Sequence, residues 1–211
     1  MKAILMAFKS KRIAKIHNGE KILEIRKRFP LDYVGWVYIY CTENSNPLHK
    51  NVADIWWVED KGFQKENKRL GIEQEPAYNG KVVARFWCDN VEEIFKHAYQ
   101  CGNIDIGIDY DVELITPSLC EIELIKQSRL TKDELYKYLF WCAPENKISL
   151  GLAIPISQLE IFDEPKELSE FENYNMVREV ELNAEYYKGF DTSKITVVKK
   201  APQSWFYVEE R

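Results

Sequence analysis

The sequence predicts an α+β fold, mainly β, in which a small barrel-like core carries flanking helices and decoration. Three observations predict it. Four segments dense in β-branched and aromatic residues fall within the first 90 positions, too closely spaced for alternating βαβ units. Only a few short stretches carry helical spacing. Hydrophobic residues make up 45% and aromatics 13% of 211 residues, enough to bury a core and too rich for a disordered chain.

Taken in order, Ala3 to Phe8 is a short apolar run suited to a buried strand. Ser10 is placed to cap a helix in which Ile13, Ala14 and Ile16 recur among Lys11, Arg12 and Lys15, and Asn18-Gly19 ends it. Lys21 to Phe29 is extended and stops at Pro30. Tyr33 to Cys41 is the strongest strand signal and belongs centrally in a sheet. A polar loop, a tryptophan-rich strand from Val52 to Val58 and a charged excursion from Glu59 to Asn79 follow. Asn79-Gly80 then turns the chain into a strand from Lys81 to Cys88. Glu92 to Tyr99 has helical spacing, whereas Glu113 to Ile115 and Glu121 to Ile125 look extended. Thr131-Lys-Asp-Glu134 is a capping box that opens a helix reaching Phe140. Ile148 to Phe162 holds two extended pieces around Pro155, and Ser204 to Glu209 closes the chain as a strand. The chain is expected to be one domain over 1–211, with insertions at about 91–128 and 172–200.

Several function classes are disfavoured. No apolar run approaches the ~20 residues of a membrane span. The opening residues run into Lys9, Lys11 and Arg12 without a small-residue cleavage site, so a cytoplasmic protein is expected. Cys41, Cys88, Cys101, Cys120 and Cys142 form no C-x-x-C pair, and His17, His49 and His97 have no ligand spacing, so no metal or cofactor is expected. Asp105, Asp109 and Asp111 cluster without the spacing of a calcium loop and read as an acidic turn. Phosphate-loop, dinucleotide and nucleophile-elbow motifs do not occur.

Charge is the positive signal. The net charge is 29 − 34 = −5, yet residues 1–30 hold nine Lys/Arg against two Glu, which is +7, leaving 20 − 32 = −12 for the remainder. A basic segment on an acidic body attracts phosphates locally while the body limits indiscriminate binding.

Within that segment, Gly19-Glu-Lys-Ile-Leu-Glu-Ile-Arg26 resembles the strand that follows the first helix in ASCH-domain proteins, a branch of the PUA-like superfamily. Asn79-Gly-Lys-Val-Val-Ala-Arg-Phe86, the run from Ile154 through Pro165-Lys-Glu-Leu168 to Phe171, and Ala201-Pro-Gln-Ser-Trp-Phe-Tyr-Val208 are similar to later segments of phage and Gram-positive members, in the same order. The resemblance covers about 110 to 120 positions. It implies a PUA-like twisted β-barrel and the binding of RNA, other nucleic acid or a small modified nucleoside.

Lys9, Lys11, Lys21, Glu24, Arg26 and Arg28 are accordingly the expected ligand-binding residues. Lysine and arginine would position phosphates, and Glu24 would accept from a base amino group or a ribose hydroxyl. Glu24 and Arg26 share one side of a strand, and Lys21 joins them only if the chain turns after Gly19. Trp56 and Trp57, on opposite faces of one strand, are candidates for stacking on a base. RNA, DNA and a free nucleoside all fit this chemistry, and no membrane partner is expected.

Some small ASCH proteins deacylate N4-acylated cytidine with a lysine at the position of Lys21, a threonine three residues on and a distant glutamate. Here the third residue is Glu24, so the hydroxyl nucleophile is missing, and a hydrolase reading has to rest on Lys21 with Glu24 as general base. Glu134 is the weak counterpart of the distant glutamate. A third reading makes the two insertions an interaction surface for a protein partner.

Overall fold

The computed structural model describes residues 1–42, 80–98, 104–111, 116–140 and 149–211. The expected strands at 52–58 and 113–115 and the excursion at 59–79 lie outside the described residues. Strands and a few helices form two sheets, giving an α+β, mainly β protein. Its contacts divide the chain into two compact units.

The first unit comprises Met1–Asn18, Gly35–Trp87 and Gln158–Arg211. Its sheet is built from β1 (Ala3–Phe8), β3 (Gly35–Cys41), β4 (Val82–Cys88), β9 (Ser157–Lys166), β10 (Phe171–Asn173) and β11 (Trp205–Glu210), in the order β10-β11-β1-β3-β4-β9. The dense Tyr33 to Cys41 run thus becomes an interior strand. It pairs with β1 in parallel, Ile4 beside Val37 and Met6 beside Ile39. Such a pair needs a crossover. The helix α1 (Ser10–His17) lies within that connection.

The helix begins one residue earlier than expected. Lys9 already has extended cap geometry, and its carbonyl accepts from Arg12 (2.8 Å) and Ile13 (3.2 Å), so Ser10 is helical and no side chain caps this end. One face of the sheet buries Leu5, Tyr38, Val82, Phe162, Phe171 and Val208 together. In the 172–200 region, α4 (Tyr174–Leu182) is capped by the Asn173 side chain, and α5 (Ser193–Thr196) follows.

The second unit comprises Gly19–Val34 and Cys88–Ser157. Its sheet has the order β2-β8-β5-β6-β7, from β2 (Leu23–Arg26), β5 (Glu92–Ala98), β6 (Ile104–Asp111), β7 (Thr116–Cys120) and β8 (Ser149–Pro155). Residues 92–120 therefore supply three of its five strands. Here two expectations fail. The stretch from Glu92 is a strand to Ala98, not a helix: it pairs with both β6 and β8, and an irregularity at Ile94/Phe95 breaks the alternation that would have marked it. Glu121 to Ile125 is the start of helix α2 (Glu121–Ser128), where Glu121 and Glu123 sit favourably in the first turn.

The capping-box helix forms as α3 (Lys132–Phe140). Leu135 and Leu139, four residues apart, turn inward to meet Leu23, Ile25, Ile94 and Leu124 in a common core. Gly151 on β8 lets α3 come close, since a Cβ there would lie 2.7 Å from Leu139 Cδ2 and 3.1 Å from the Arg26 carbonyl oxygen.

Candidate functional site

The expected site begins where the chain leaves α1. Gly19 takes φ +68°, a conformation that glycine adopts without steric cost. Three residues later the Ile22 amide donates to the Gln127 carbonyl (3.0 Å), which ties the entry to β2 against the end of α2. Lys21 lies in this irregular stretch before the strand starts. Its side chain is therefore free of strand alternation and reaches the side occupied by Glu24 and Arg26.

The three groups converge. Lys21 Nζ lies 3.1 Å from Glu24 Oε2, and Arg26 Nε lies 2.8 Å from Glu24 Oε1. One carboxylate is held between two cations, as the sequence required of a chain that turns after Gly19.

The convergence is buried rather than open. Only 1% of the Lys21 side chain is exposed, against 5% for Glu24 and 14% for Arg26. Lys21 Nζ also donates to the Leu23 carbonyl (2.8 Å) and the Ser128 carbonyl (3.0 Å). The ammonium thus makes two carbonyl hydrogen bonds besides its ion pair with Glu24. Ser128 is the last residue of α2, so its carbonyl has no partner within the helix, and a cation there also complements the helix dipole. Lys21 is thus a tie between β2 and the α2 C-terminus. Arg129, at φ +55°, reinforces the junction by donating from Nε to the Glu20 carbonyl (3.0 Å).

Arg26 is the outward arm of the triad, and the chain beyond it is basic and accessible. Arg28 is exposed. Lys27 places its ammonium 5.6 Å from the Tyr138 ring centroid, and its backbone N–H donates to the Tyr138 hydroxyl (3.4 Å). Tyr138 remains 39% exposed. Sequence reasoning passed over it, although Leu135 and Leu139 facing inward leave position 138 to the outer side of α3.

Lys9 is exposed and Lys11 is helical, but both belong to the first unit. Nothing of the Lys11 side chain is described. Trp56 and Trp57 lie outside the described residues. Glu134 is held by its cap: Oε2 accepts from the Thr131 amide (2.9 Å), and its own amide donates to Thr131 Oγ1 (3.1 Å). Asp105, Asp109 and Asp111 lie on β6, and their side chains are outside the description. Among the described residues no group of acids, histidines and cysteines is arranged to hold a metal ion, and no helix is long and apolar enough to cross a membrane.

In comparison with known proteins, no family model matches the sequence. No curated protein matches it either. Among solved structures, the chain is similar to the crystal structure of ASCH from Zymomonas mobilis, with 12% identity and a TM-score of 0.46 over 98% of this chain and 87% of that one. A tyrosine-to-phenylalanine mutant of the Zymomonas mobilis protein gives 12% identity and a TM-score of 0.44, over 99% and 91% of the two chains.

Proposed function

We propose that the chain binds RNA or a nucleotide through the basic surface that leads out of β2, with Arg26, Lys27 and Arg28 contacting phosphate and Tyr138 offering a ring to a base. The observation that carries this reading is the asymmetry of the triad. Lys21 and Glu24 are almost wholly buried, whereas Arg26, paired with Glu24, is 14% exposed and is followed in the chain by Lys27, whose ammonium lies 5.6 Å from the Tyr138 ring centroid, and by the exposed Arg28. A guanidinium is a rigid planar fork of donors whose geometry suits an anion. A pre-oriented arginine also loses less side-chain freedom on binding than a mobile one.

This assignment moves the phosphate contacts away from Lys21 and gives Glu24 a supporting role. The order of the ASCH-like segments in the sequence agrees with a nucleic-acid ligand. The deacylase reading gains no support from the geometry, because the Lys21 ammonium is buried on two carbonyls and Glu24 lies between two cations, so neither group is poised to activate water.

The test is titration of labelled single-stranded RNA against wild type and an Arg26→Ala/Arg28→Ala variant over a range of salt. Each lost phosphate contact lowers the slope of log K against log salt by about 0.7 for a single strand. The double variant is expected to bind more weakly and with a shallower slope. Identical slopes in the two proteins would overturn the assignment.

A further inference from the structure

The stretch that follows α4 in the first unit leaves a row of large apolar side chains in water. Leu182, Tyr186 and Phe190 are 85%, 75% and 64% exposed. They recur every four residues, the spacing that lines up side chains on one side of helical turns. The backbone that carries them is bonded throughout. Asn183 closes α4 by donating from its amide and its side chain to the Glu179 carbonyl (3.1 and 2.9 Å), and its own carbonyl accepts from the Tyr186 and Tyr187 amides (2.9 and 3.2 Å). The Phe190 amide then donates to the Tyr187 carbonyl (3.0 Å).

These turns gather three rings. Tyr186 and Phe190 lie nearly parallel, with planes at 9° and centroids 6.4 Å apart, and Tyr187 stands across both, at 90° to Tyr186 and 81° to Phe190. Single exposed apolar residues are ordinary on a protein surface. A contiguous row of them with clustered aromatics marks an interaction site.

Charge decides what the site takes. Residues 174–196, from α4 through α5, hold three basic and four acidic residues. Arg178 pairs with Glu181 (2.9 Å), Lys188 with Glu185 (3.3 Å) and Lys194 with Asp191 (3.2 Å), all of them exposed pairs. Two cations from outside the stretch come near it: Lys199 donates to the Lys194 carbonyl (2.6 Å), and Arg211, whose charge reaches Asp191, lies 3.9 Å from Glu172. The remaining acid is Glu179, exposed and within hydrogen-bond reach of the Tyr187 hydroxyl. A phenol carries no positive charge, so one carboxylate beside the rings stays uncompensated. The chain from 158 to 211 carries twelve acidic against seven basic residues, a balance that repels a phosphate backbone. It also disfavours a second copy of the chain, which across a two-fold axis would set the same acidic patch against itself. A cation is drawn by both parts, by the carboxylate through charge and by the ring faces through their quadrupole. Arginine suits them better than lysine, because a flat guanidinium stacks on an aromatic face and keeps donors in its plane for a carboxylate.

We propose that the row from Leu182 to Phe190 docks an arginine-bearing peptide segment of a partner protein, with the guanidinium against the Tyr186 and Phe190 rings on the side of Glu179 and apolar residues of the segment over Leu182. The proposal is independent of the nucleic-acid reading of the β2 surface.

The experiment uses the full chain and four labelled nine-residue peptide pools, randomised except for a central arginine, lysine, alanine or glutamate, with binding followed by fluorescence anisotropy. Wild type is expected to bind the arginine pool most tightly and the glutamate pool least. Tyr186→Ala/Phe190→Ala should weaken the arginine pool about tenfold. Glu179→Gln should weaken it by up to about fivefold, and this single exposed change reports even if the double variant fails to fold. Single-stranded RNA affinity should be the same in the double variant as in wild type. Equal binding of the four pools by wild type, or an arginine pool indifferent to both variants, would overturn the proposal. So would a wild-type dimer in sedimentation that the double variant dissociates, which would give the surface to a second copy, or a loss of RNA binding in that variant, which would give it to nucleic acid.

Discussion

Replacing Lys21 with methionine separates a structural lysine from a ligand-binding one. The methionine keeps most of the aliphatic length and removes the ammonium from a position with 1% exposure. Glu24 then keeps Arg26 as a cationic partner, and the Leu23 and Ser128 carbonyls lose donors at 2.8 and 3.0 Å. Removing one partner of a buried ion pair costs about 3–5 kcal/mol when the other charge is left uncompensated, and the lower end applies here because Arg26 still pairs with Glu24. For a chain of this length each kcal/mol lowers Tm by about 2–4 °C, so a fall on the order of 10 °C is expected. Thermal melting followed by circular dichroism measures it, alongside RNA affinity at a temperature where the variant is folded. There the affinity should stay near wild type, since Arg26, Lys27 and Arg28 remain. Lys21→Met/Glu24→Leu should recover part of the loss, because an apolar pair of similar volume commonly matches a buried ion pair in stability. A variant that melts within about 2 °C of wild type and no longer binds RNA would refute the reasoning and return Lys21 to the ligand.

Two further outcomes follow from the packing. Gly151→Ala places a methyl 2.7 Å from Leu139 Cδ2 and 3.1 Å from the Arg26 carbonyl, and denaturant unfolding should show a loss of about 1–3 kcal/mol from overpacking. His17 on α1 is pushed down to about 4 by burial, so the folded protein holds it neutral where the unfolded chain would take up a proton. The stability that this contributes is complete above about pH 6.5 and drains away as pH falls toward 4. A His17→Gln variant should therefore melt with a flatter pH profile across that window, and an unchanged profile would show that His17 is not the group responsible.

Local chemistry was legible in the sequence wherever a few neighbouring residues decide the structure. Thr131 and Glu134 specify their helix start by reciprocal bonds within four positions, and the structure shows both. The β-branched and aromatic run into Cys41 can form little other than a buried strand, and it pairs inside its sheet. Failures occur where distant pairing overrides local spacing. Val91, Ile94, Phe95 and Ala98 recur at intervals of three and four, as on a helix, yet β6 and β8 claim the segment as a strand between them. Glu121 to Ile125 alternates charge and apolar bulk, yet its acids suit a helix N-terminus and Leu124 reaches the core from that helix.

The candidate site divides along the same line. The convergence of Lys21, Glu24 and Arg26 was legible as a condition on Gly19, because strand alternation fixes two of the side chains and a turn must supply the third. Its burial was not legible, since one acceptor of the ammonium is the Ser128 carbonyl, 107 residues away. A helix end with an orphaned carbonyl can draw a nearby lysine, and sequence spacing gives no sign of which helix ends nearby. The same contact makes Lys21 a brace between β2 and the end of α2. Arg26 differs from Lys21 by position alone: two residues beyond Glu24 on the strand, it keeps one nitrogen on the carboxylate and part of its surface in water. Depth therefore separates the two cations of the triad, the innermost holding the fold and the outermost the one proposed to meet an anion.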